Sequence, residues 1–64
     1  MKNSIKTMRE RAGLTQTVLA EKMGVDQSAI SQWEQGSVFP TVSNLKRLAN
    51  ILSCSTDELL TPSD

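Results

Sequence analysis

The sequence predicts an all-α fold of five short helices in a single domain, residues 1–64. Three observations predict it. Apolar residues recur three and four positions apart along most of the chain. β-Branched residues do not alternate with polar ones, and one Phe, one Trp and no Tyr leave no strand signal. Glycines and capping residues then cut the periodic pattern into five segments.

Ile5, Met8 and Ala12 form the stripe of a first helix over about 3–12, capped by Asn3 and ended at Gly13. Thr15 caps a second helix, 16–23, whose apolar positions are Leu19, Ala20 and Met23, and Gly24 closes it. Asp26, with a charge that suits a helix N-terminus, caps a third, 27–35, with Ile30 and Trp33 facing inward and Gly36 as its stop. Residues 37–40, Ser-Val-Phe-Pro, read as a loop. Thr41 caps the fourth helix, 42–52, in which Val42, Leu45, Leu48, Ala49 and Leu52 keep helical spacing. Ser55 to Glu58 has the Ser-x-x-Glu form of a capping box and opens a fifth helix, 56–60, with Leu59 and Leu60.

A chain this short buries only about 60% of the surface that its unfolded form exposes, so packing must supply the stability. With no His and the single Cys54, neither a disulfide framework nor a metal cage can be built, and no metal or cofactor is expected. Cys54 reads either as a small buried hydrophobe or as a redox sensor, and no basic neighbour in sequence favours its thiolate. An unpaired thiol fits a reducing compartment, and no apolar run is long enough to span a membrane, so a cytoplasmic location is expected. Catalysis is not expected: neither Ser-His nor Cys-His pairs can form, and no Gly-rich phosphate loop is present. The net charge is zero, which works against a polyanionic partner, but it is unevenly spread. All seven basic groups and four of the acids lie in residues 1–55, leaving +3 there and −3 in residues 56–64.

The informative stretch is Gln16 to Gln35. Ala20 is small enough for a second helix to cross closely, and Gly24, four residues on, supplies the positive φ that a tight turn needs. Leu19, Met23, Val25, Ile30 and Trp33 then share a core. Gln27, Ser28, Ser31, Gln32 and Gln35 are left on the open face of the third helix, uncharged side chains suited to hydrogen bonding with base edges.

These residues resemble the phage-repressor and Cro-like helix-turn-helix domains. The resemblance is carried by Gly13-Leu14-Thr15-Gln16, Leu19 to Val25, Ala29 to Gly36, Pro40-Thr41, Leu45 to Ala49 and Asp57 to Leu60, and it covers about residues 3–60. It implies a lambda-repressor-like five-helix fold with the third helix in the major groove and the second across the backbone. By position, Gln27, Ser28 and Gln32 would read bases. Gln16, at a helix N-terminus, would hold a phosphate, and Ser31, Gly36, Ser37, Phe39 and Thr41 would lie along the backbone. Arg9 and Glu34 match a buried ion pair of the family; otherwise they are two surface charges. Lys2 and Lys6 are either solvated charges or further phosphate contacts. Three features depart from the family: Thr17-Val18 stand where acidic residues are usual, the 37–40 loop lacks Lys and Arg, and Ser53 replaces the usual Gly after the fourth helix.

The expected function is sequence-specific binding of double-stranded DNA as a transcriptional regulator, by default a repressor, working as a homodimer on a palindromic operator. Val38, Phe39 and Leu59 are the expected dimer contacts, and no small-molecule ligand or membrane is expected. The alternative is a protein-interaction module, such as an antitoxin or antirepressor partner, that reuses the fold.

Overall fold

The computed structural model describes residues 2–62. Among them lie five helices: α1 (Ile5–Arg11), α2 (Gln16–Met23), α3 (Gln27–Gln35), α4 (Val42–Ile51) and α5 (Thr56–Leu60). Local chemistry sets most of the helix starts. The Thr15, Thr41 and Ser55 hydroxyls accept from the N–H groups of Val18, Asn44 and Glu58, and the Glu58 carboxylate accepts in return from Ser55 N–H. Asp26 stands at the start of α3 in extended conformation, yet its carboxylate makes no capping bond.

α1 begins at Ile5 rather than near residue 3. The physical reason lies at the other end of the molecule. The Asn3 amide is buried, its Oδ1 accepting from Ile5 N–H at 3.0 Å and its Nδ2 donating to the Trp33 carbonyl at 2.8 Å. Ser4 N–H donates to the Leu59 carbonyl at 2.9 Å, and its hydroxyl donates to the Thr61 carbonyl. Residues 3 and 4 are thus spent tying α1 to α3 and α5.

α2 ends in a Schellman closure: Val25 N–H reaches back to the Ala20 carbonyl at 3.1 Å and Gly24 N–H to that of Glu21 at 3.3 Å. This requires φ +71° at Gly24, where a side chain would be strained. α4 closes in the same way, with Cys54 N–H on the Ala49 carbonyl at 2.9 Å, but the left-handed residue is Ser53 at φ +54°. The expected departure at this position is therefore a non-glycine residue held in the left-handed region.

The core draws on every helix: Ile5, Leu19, Ala20, Met23, Ile30, Trp33, Leu45, Leu48, Ala49, Leu52 and Leu59. Of the expected stripes, Met8 packs half-buried against this core, and Ala12, Val42 and Leu60 fall outside it. Ala12 is exposed at the C-terminus of α1, and Val42, in the first turn of α4, is 70% exposed.

Candidate nucleic-acid interface

The site starts from the buried side of α3. Trp33 and Ile30 face the core, which turns Gln27, Ser28 and Gln32 out to solvent and leaves Ser31 half-buried. Two ties from the N-terminal segment hold the last turn of α3: Asn3 on the Trp33 carbonyl, and Arg9 on the Glu34 side chain. Arg9 Nε donates to Glu34 Oε2 at 2.6 Å and its Nη2 reaches Oε1 at 3.4 Å, the two side chains being 10% and 4% exposed. Arg9 Nη1 donates to the Leu14 carbonyl at 2.7 Å, so the same guanidinium also fixes the link into α2. The structure thus brings Arg9 and Glu34 together inside the protein.

From that pair a line of hydrogen bonds runs outward. Gln16 Nε2 donates to Glu34 Oε1 at 2.8 Å. Gln27 Nε2 donates to Gln16 Oε1 at 3.2 Å, and the Thr17 hydroxyl donates to Gln27 Oε1 at 3.3 Å. Gln16 and Gln27 therefore meet across the turn, one on each helix of the helix-turn-helix. Thr17, which in the sequence stands out only as a departure from the family pattern, joins this meeting. Its signal was a hydroxyl in the first turn of α2, opposite the first turn of α3.

The other expected contacts differ in what they can still donate. Thr41 Oγ1 accepts from Asn44 N–H at 3.2 Å, which leaves its own hydrogen free. The Ser37 hydroxyl donates to the Gln32 carbonyl at 3.3 Å and must turn away from it to donate to a phosphate. Gly36 N–H is spent on the Gln32 and Trp33 carbonyls as the cap of α3. Ser31 Oγ accepts from Gln35 Nε2 at 3.3 Å. Phe39 is 40% exposed. Lys2 and Lys6 are exposed, and neither joins an ion pair among the described residues.

The expected dimer contacts need one correction. Val38 and Phe39 are exposed, at 47% and 40%, but Leu59 is fully buried in this chain's own core, so its side chain is not available to a partner. In a five-residue helix of sequence Thr-Asp-Glu-Leu-Leu only one of the two leucines can face inward, and the outward one is Leu60. Val18 is exposed on α2, as its departure from the family pattern implied.

Cys54 lies half-buried beside a cleft of about 500 Å³ lined by Met8, Arg11, Ala12, Ile51, Leu52 and Glu58. Burial, and secondarily the Glu58 carboxylate, push its thiol above the ordinary cysteine value, which is the opposite of what a reactive thiolate needs. No cluster of metal-ligating side chains occurs among the described residues, and no helix there is long and apolar enough to cross a membrane.

Comparison with known proteins places this geometry in a family. Residues 5–59 match the helix-turn-helix family model. The repressor protein C2 of Salmonella phage P22 is 38% identical over 60 residues, which cover 94% of this chain and 28% of that protein. The transcriptional activator BcrR of Enterococcus faecalis is 39% identical over 56 residues, 88% of this chain and 28% of the relative. The chain therefore spans less than a third of the length of these two relatives. Among solved structures, the P22 c2 repressor in complex with a synthetic operator superposes with a TM-score of 0.82 at 37% identity, covering 92% of this chain and 89% of that one. The chain belongs to the helix-turn-helix family, in its phage-repressor and Cro-like branch.

Proposed function

We propose that this chain binds double-stranded DNA sequence-specifically as a transcriptional regulator, with α3 in the major groove and α2 across the backbone. One observation carries the reading. Gln27, Ser28 and Gln32 form an exposed, uncharged hydrogen-bonding row on α3, on a fold that superposes on a repressor taken from an operator complex. Gln27, Ser28 and Gln32 read base edges. Gln16, Ser31, Gly36, Ser37, Phe39 and Thr41 run along the phosphates, and Lys2 and Lys6 add the attraction that a neutral chain otherwise lacks. A single recognition helix covers only a few base pairs, so the working form is a homodimer on a palindromic operator, paired through Val38, Phe39 and Leu60. Repression by occupying the operator is the default mode of action on this reading.

Selection of bound sites from random duplex DNA tests it. The expected result is a two-fold symmetric consensus with half-sites about one helical turn apart. Gln27→Ala and Gln32→Ala each weaken binding to that consensus by about 1–3 kcal/mol while the fold survives. A flat selection, with equal binding to every duplex, refutes the reading. The exposed apolar side chains Val18, Val38, Phe39 and Val42 favour one second reading, a protein-interaction module. Salt separates the two, because DNA binding weakens steeply with added salt and an apolar interface does not.

A further inference from the structure

The face assigned to pairing comes from two distant parts of the sequence. Val38 and Phe39 lie in the loop after α3, and Leu60 is in α5. The loop is built onto α3 itself. Gly36 N–H donates to the Trp33 carbonyl at 3.1 Å, and Ser37 and Val38 N–H donate to the Gln32 carbonyl at 3.2 and 3.4 Å. Val38 and Phe39 therefore travel with the recognition helix. Leu60 does not, because α5 packs on α4 and α1 whereas α3 packs on α2 and α1.

The two parts are pinned together just ahead of α1. Asn3 Nδ2 donates to the Trp33 carbonyl at 2.8 Å, the same carbonyl that accepts from Gly36 N–H, so both of its lone pairs are used. Asn3 Oδ1 accepts from Ile5 N–H at 3.0 Å, which turns the amide nitrogen toward Trp33. The next residue reaches α5. Ser4 N–H donates to the Leu59 carbonyl at 2.9 Å and the Ser4 hydroxyl to the Thr61 carbonyl, on either side of Leu60. Two adjacent buried residues thus grip the end of α3 and the end of α5. A second hold on α3, Arg9 on Glu34, comes from the last turn of α1. One hold alone lets α3 pivot about it; two, at opposite ends of α1, fix its tilt.

We propose that Asn3 and Ser4 are positioning residues that lock α5 to the recognition helix, so that the pairing face is one rigid surface and two copies set their recognition helices at one separation and one rotation. The proposal rests on the homodimer reading. It makes discrimination of half-site spacing depend on two residues buried in the protein, away from both DNA and partner.

The test compares the selected operator with the same duplex carrying one base pair inserted midway between its half-sites. The insertion turns one half-site by about 34–36° and shifts it by about 3.4 Å. Fluorescence anisotropy gives the affinity ratio, and a duplex with a single half-site reports reading by one copy. The parent chain should prefer the selected spacing by at least about tenfold, because a rigid pair must twist the inserted DNA back. Asn3→Ser still accepts from Ile5 N–H but is too short for the Trp33 carbonyl, and should lower the ratio to about threefold or less. Ser4→Ala keeps the backbone bond to Leu59 and loses the hydroxyl bond to Thr61, and should at least halve the ratio; it decides alone where circular dichroism shows Asn3→Ser unfolded. Single-half-site affinity should stay within about twofold of the parent for both. Lys46→Gly, an exposed change in the middle of α4 that lowers stability away from the joint, should keep the parent ratio. If a folded joint variant keeps the parent ratio, or Lys46→Gly lowers it equally, or the parent binds both spacings alike, the positioning role is overturned while dimeric binding stands. If selection returns no two-fold consensus, the homodimer reading fails and the proposal falls with it.

Discussion

Replacing Arg9 with Leu removes three donors at once. The Glu34 carboxylate, 4% exposed, loses both of its guanidinium contacts and keeps only Gln16 Nε2, and the Leu14 carbonyl loses its bond from Nη1. The removed bonds do not simply add, because Arg9 also loses its own cost of leaving water. The governing quantity is the charge left behind in a site that water hardly reaches. Breaking one side of such a buried pair costs about 3–5 kcal/mol. A domain of this size has a total stability of about 3–10 kcal/mol, so the loss is comparable with the whole. Urea denaturation followed by far-ultraviolet circular dichroism measures it. With a slope of about 1 kcal/mol per M, the midpoint of Arg9→Leu falls by about 3 M or more, or the variant is unfolded without urea. The double variant Arg9→Leu, Glu34→Leu, which leaves no orphaned charge, should regain at least half of the loss. A cost below about 1 kcal/mol for Arg9→Leu, the range of a solvated surface pair, would refute the view that this pair locks α1 onto α3.

Two further outcomes follow from backbone and thiol chemistry. Ser53 holds a left-handed φ of +54° with its side chain exposed, so Ser53→Gly should stabilise the fold by about 1 kcal/mol, seen as a rise in Tm of several degrees; no change or a fall would mean that the serine is not strained there. The raised Cys54 thiol holds less thiolate than a free cysteine at neutral pH, so iodoacetamide should alkylate it more slowly than a model thiol, with the rate climbing as pH rises toward the thiol's own value; Glu58→Gln should speed the reaction modestly, and a rate above that of the model thiol would contradict the assignment.

What the sequence made legible was mostly local. The Ser55–Glu58 capping box, the Thr15 and Thr41 caps and the turn at Gly24 depend on residues within five positions of one another, and spacing reveals them directly. Asn3 shows where that reasoning stops. It was expected to cap α1, but the cap position falls to Ser4, whose side chain makes no capping bond; the Asn3 side chain accepts from Ile5 N–H and donates to the Trp33 carbonyl thirty residues away. Leu59 and Leu60 could not be told apart by periodicity, because five residues are too few turns to define a face. Val42 kept the helical spacing of α4 yet lies in its first turn, where the stripe has already left the core. In the candidate interface, the Arg9–Glu34 pair was accessible through family resemblance. The meeting of Gln16, Thr17 and Gln27 was not, since no spacing rule says which side chains touch where two helices cross.

On the proposed reading, in which α3 contacts the bases, its exposed row is uneven in a way that bears on how the domain changes its target. Ser28 and Gln32 have no side-chain hydrogen bond to the rest of the described chain, whereas Gln27 is held by Gln16 and Thr17. Two of the three letters can be rewritten singly on an unaltered frame. The third is spelled jointly with its neighbours on α2, so a new residue at 27 inherits a lone amide and a lone hydroxyl that were arranged for glutamine. Drift toward a new operator is cheap at positions 28 and 32 and requires coordinated substitution at 27.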